Sequence, residues 1–259
     1  MNKRQKFVFT SIVLSFGFIG INLIDNSYRF WAVLGLSLVT LILFIFSLWE
    51  GLGINATLLT LVLPTLFTLG VGLFWFLIPS SIFARIPVVI LYGVGVYALS
   101  LTMNIFTVSA IRNIALVRVA LAVGFILTLL DAFLLFDAIL SIKANILVTS
   151  FAVGLVSLPL FLQGLWMSNL EKSFRKIRKS KIPFYACLFS LGMVEVSTLL
   201  YFWPVTVVVG SLFLTVGIYV LLGLGQAQVE GRLFKQTTTE YLSLGLIVFL
   251  AMLLATHWG

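Results

Sequence analysis

The chain alternates long apolar runs with short polar breaks. Runs occupy 7–24, 28–48, 56–79, 87–108, 114–140, 145–167, 183–202, 205–224 and 240–257. About 20 apolar residues, rising 1.5 Å each, cross roughly 30 Å of hydrocarbon. Each run therefore predicts one transmembrane helix. The fold class expected is an all-α integral membrane protein: one polytopic domain of about nine helices over residues 1–259. Polar or proline-marked breaks separate the runs, such as Asp25-Asn26-Ser27, Pro79-Ser80-Ser81 and Gln226 to Thr239. The thinnest break is Trp203-Pro204. Proline there lacks a donor and pushes its predecessor out of helical geometry, so a tight turn is expected. Without that turn the count falls to eight.

The first run follows Lys3, Arg4 and Lys6, as in a signal peptide. It is long, and the residues after it (Asp25-Asn-Ser-Tyr-Arg) offer no small-x-small cleavage site. It reads as an uncleaved first span.

Composition agrees with the pattern. Apolar residues make up 61% and charged residues 9% of 259, with a mean hydropathy of +1.20. A soluble domain carries roughly 25% charged residues, so lipid is the expected solvent. The net charge of +8 does not point to nucleic acid, because the basic residues sit in short loops. It points to orientation and to anionic lipid.

With the N-terminus inside, thirteen of the sixteen basic residues fall on the cytoplasmic side. They are Lys3, Arg4, Lys6, Arg112, Arg118, Lys172, Arg175, Lys176, Arg178, Lys179, Lys181, Arg232 and Lys235. Only Arg29, Arg85 and Lys143 fall on the far side. Such a split favours the N-terminus in and the C-terminus out, in the cell membrane. Trp31, Trp49, Trp75, Trp166, Trp203 and Trp258 lie near span ends, as expected of interfacial rings.

Candidate chemistry is sparse. Asp131 in span five and Glu195 in span seven are ionisable groups inside hydrocarbon, where they are costly. Glu195 lies 12 residues past Pro183, roughly 18 Å along the helix. Asp131 lies about as far past Arg118, so both sit near the midplane. A partnerless carboxylate there suits a proton- or cation-coupled site, provided the two face each other or a cavity. The plain alternative is hydrogen-bonded glue between helices. Asp137 should lie near the outer end and be solvated. Asn104 and Gln163 fall near cytoplasmic ends, where interhelical hydrogen bonding is the ordinary role. Pro64 sits mid-span and could kink its helix. Ser150 and Gly154 have the small-xxx-small spacing that permits close packing.

The loop of residues 168–182 holds Lys172, Arg175, Lys176, Arg178, Lys179 and Lys181. It fits anionic headgroups, and Leu170, Phe174 and Ile177 would share one helical face. The loop 226–239 is the next most polar, and either loop could dock a protein partner.

Other chemistry is absent from the sequence. There is no nucleotide-binding glycine loop, no H-E-x-x-H and no G-x-S-x-G. Cys187 is the single cysteine and His257 the single histidine, which excludes an internal disulfide and multi-histidine metal sites. No cofactor is expected. A small permease with Asp131 and Glu195 at a midplane site is the leading expectation. A membrane scaffold is the alternative, and a lipid-modifying enzyme the third.

Overall fold

The computed structural model describes residues 2–21, 24–25, 27–49, 59–79, 81–109, 116–168 and 181–256. Among these residues it is all-helical. Nine α-helices follow in order: α1 Lys3–Ile21, α2 Arg29–Leu48, α3 Leu59–Phe74, α4 Ile82–Ser109, α5 Val117–Ser141, α6 Ile146–Ser168, α7 Ile182–Tyr201, α8 Val207–Glu230 and α9 Lys235–Ala255. Each is long and apolar enough to cross a membrane, α3 when counted with the short 3-10 turn at Trp75–Leu77 that follows it. Together they fit a multi-pass membrane protein.

Pro183 starts α7 within its first turn, where a missing donor does no harm. The turn at Trp203-Pro204 is real: α7 stops at Tyr201 and α8 starts at Val207. The Thr206 hydroxyl caps α8 by accepting from the Val209 amide at 3.4 Å. Pro64 does not break α3, which runs through it.

The expected polar break at 226–239 shrinks to four residues. α8 continues to Glu230, and α9 begins at Lys235 rather than at the Thr239-Glu240 start signal. Gly231 in the left-handed conformation (φ 70°) ends α8, with the Arg232 amide donating to the Ala227 carbonyl at 2.8 Å. Polar residues extend both helices past their apolar stretches, so hydropathy alone ends α8 too early and starts α9 too late.

The chain divides into two compact units, residues 1–127 and 128–259. In the first, α1 to α4 pack around Leu14, Phe18, Phe44, Leu63, Phe67, Val96 and Met103, all buried. Tyr92 stacks on Phe18 at 4.8 Å and lies parallel to Phe67 at 6.0 Å. Its hydroxyl bonds that of Thr68 at 3.0 Å, and Thr68 in turn bonds Thr40 at 3.0 Å. Thr10 and Ser47 pair at 2.6 Å. These hydroxyls tie helices together inside an apolar interior.

In the second unit α6 and α7 are the most intimate pair. A side chain at Gly154 would collide with Val194 of α7. The Ser190 hydroxyl donates to the Gly154 carbonyl at 2.8 Å, and that of Thr198 donates to Ser150 at 3.0 Å. The small pair Ser150/Gly154 thus forms the close contact that its spacing permits. α8 packs on α6 and α7, and α9 packs on α8. At the far end of α9 the Trp203 indole donates to the Thr256 hydroxyl at 2.9 Å.

The tryptophans divide. Trp31 and Trp49 are exposed, as interfacial rings would be. Trp75 is only 3% exposed, packs edge-on against Phe18 and carries the Arg85 guanidinium 5.1 Å from its ring centre. Trp166 is buried too. These two rings are covered by the protein itself, although both lie near helix ends. Trp258, His257 and Arg112 lie outside the described residues.

Candidate functional site

Around Asp131 α5 is apolar (Leu127, Leu130, Ala132, Leu134, Leu135) except for Thr128, one turn earlier and itself buried, so hydropathy does not separate a wet face from a dry one. The side chain is 0% exposed. Neither carboxyl oxygen has a hydrogen-bond partner among the described residues. A buried polar group without a partner carries its full desolvation penalty. Such a group calls for an explanation, and a functional role is one.

Glu195 is placed differently. It lies on the exposed face of α7, in line with exposed Leu188, Leu191 and Leu199. The structure does not enclose the two carboxylates in one site. The spacing that put them at similar depth said nothing about which way each helix is turned. Lys181 is exposed at the start of α7. Lys172, Arg175, Lys176, Arg178 and Lys179 lie outside the described residues, as do Leu170, Phe174 and Ile177.

Asp137 is not solvated. It is 4% exposed, and the Ser211 hydroxyl of α8 donates to it at 3.2 Å. α8 covers the end of α5, and hydropathy carries no sign of such coverage. Gln163 is also enclosed, at 1% exposure, and both ends of its amide lack partners among the described residues. The expected interhelical bond comes instead from Gln226, whose amide donates to the Gly164 carbonyl at 2.9 Å.

A cavity of about 240 Å³ opens where α5 and α7 end and α6 and α8 begin. Its wall holds buried Thr149, Ser197 and Gly210; exposed Lys143, Tyr201 and Thr206 also line it. Ser197 is 1% exposed, and its hydroxyl has no partner among the described residues. Lys143 takes the left-handed conformation (φ 51°), unusual for a side chain other than Gly, Asn or Asp. Its amide donates to the Leu140 carbonyl at 3.2 Å, closing α5. Ser197 stands two residues past Glu195, on another face of α7, and a linear reading passes over it. Among the described residues no three His, Cys, Asp or Glu side chains gather as metal ligands would.

Residues 14–255 match the model of a family described as protein of unknown function (DUF5656), and the chain belongs to that family. Neither a curated protein nor a solved structure matches the chain.

Proposed function

We propose that this DUF5656 member is a small carrier of the cell membrane in which Asp131 takes up a proton or a cation. The observation that carries the reading is the complete burial of Asp131 in α5 with both oxygens unpartnered among the described residues. An ionised carboxylate there needs a bound ion, and a neutral one needs a proton. Each is a means of coupling ion movement to conformation. Glu195 faces outward on α7, so the expected pairing of the two carboxylates is not met and the reading rests on Asp131 alone. In the same reading the N-terminus is cytoplasmic and the C-terminus external. This puts Lys172, Arg175, Lys176, Arg178, Lys179 and Lys181 against anionic headgroups of the inner leaflet.

The test is ion flux in liposomes loaded with pH- and sodium-sensitive dyes, driven by a potassium–valinomycin potential. Wild type is expected to admit protons or sodium faster than protein-free liposomes, and Asp131→Asn to fall to the protein-free rate. Equal flux for wild type and Asp131→Asn removes the reading, as does wild-type flux no faster than that of protein-free liposomes.

A further inference from the structure

The cavity at the ends of α5 to α8 differs from the surroundings of Asp131 in its chemistry. Its polar side chains are an ammonium, hydroxyls and an indole, and no carboxylate lines it. Asp137 lies one helical turn before Leu140, with Ser211 as its own donor. The first turns of α6 and α8 border the cavity, and these helices have 23 and 24 residues. Helix N-termini present free amides and a partial positive charge. One amide in each is taken, at Val148 by the Asn145 side chain and at Val209 by Thr206. The ends of α5 and α7 bring opposing dipoles, and the charge of Lys143 tips the balance toward anions. The independent observation is Ser197: a buried hydroxyl in the wall with nothing to bond among the described residues.

We propose that this cavity binds a phosphate oxyanion, carried by a phospholipid headgroup or free in solution. Lys143 supplies charge at the rim and Ser197 a hydrogen bond at depth. At about 240 Å³ the cavity suits a group of headgroup size rather than a large solute. Exposed Ile142 and Phe202, next in sequence to the lining residues Lys143, Tyr201 and Trp203, supply apolar surface for acyl chains. This inference stands apart from the carrier reading, because it uses neither Asp131 nor ion flux.

The experiment is native mass spectrometry of the full chain in mild detergent with added dioleoylphosphatidylglycerol, repeated with inorganic phosphate as competitor. Wild type is expected to retain one lipid per chain. Ser197→Ala should weaken retention about tenfold, the usual loss of a hydrogen bond to a charged group. Lys143→Gln should weaken it severalfold, and Lys143→Arg should keep it. Displacement by inorganic phosphate assigns the site to free phosphate, and resistance to displacement assigns it to the headgroup; either supports the proposal when the variants weaken binding. Retention unchanged in both Ser197→Ala and Lys143→Gln overturns it, as does the absence of retained lipid together with no phosphate-induced rise in melting temperature. Ser197→Ala removes one buried atom and is the variant to rely on if Lys143→Gln fails to fold.

Discussion

The Thr40, Thr68 and Tyr92 side chains of residues 1–127 are as deeply buried as Asp131, Gln163 and Ser197 of residues 128–259. The first three bond one another at 3.0 Å across α2, α3 and α4. The second three have side-chain atoms with no partner among the described residues. In an apolar interior the first arrangement joins helices. The second leaves desolvation uncompensated. Polar groups that lower stability persist where function requires them. The difference directs attention to the second unit when looking for activity and to the first when looking for rigidity.

Stability variants can break this comparison. The largest effect expected is a gain: Asp131→Leu should stabilise the protein by about 2 kcal/mol, since it removes an unpartnered buried group of similar size. A fall in melting temperature in detergent would mean that the carboxyl is satisfied after all. Thr68→Val should act in the opposite direction, losing about 1 kcal/mol by severing two hydroxyl contacts. If it proves neutral, the chain of hydroxyls is not glue, and the contrast between units disappears. Ser197→Ala should change stability least, within about 0.5 kcal/mol, because no hydrogen bond is lost among the described residues. A loss comparable to that of Thr68→Val would reveal a structural partner for Ser197 and remove it from the cavity argument.

The apolar runs and their breaks were legible along the chain because hydrocarbon thickness sets span length and every break needs polar or proline residues. Even the thin break at Trp203-Pro204 is a true turn. Facing was not legible. α5 and α7 are apolar nearly all round, so no periodicity tells Asp131, which turns inward, from Glu195, which turns outward. Helix ends beyond the hydrocarbon were also hidden, as at Gln226 to Glu230, because hydropathy registers the solvent and not the backbone. The cavity could not be foreseen at all. It is assembled from four helix ends spread between Leu140 and Gly210, and its key hydroxyl carries no motif.

Cys187, which alone cannot form an internal disulfide, has a use. It is the single thiol of the chain and is exposed on α7, eight residues before Glu195 and close to the same outward stripe. A thiol-reactive spin label can therefore be attached to the native sequence without first removing other cysteines. Its accessibility to oxygen and to a water-soluble nickel chelate would report directly whether the surface that carries Glu195 is bathed in acyl chains, in water or by another macromolecule.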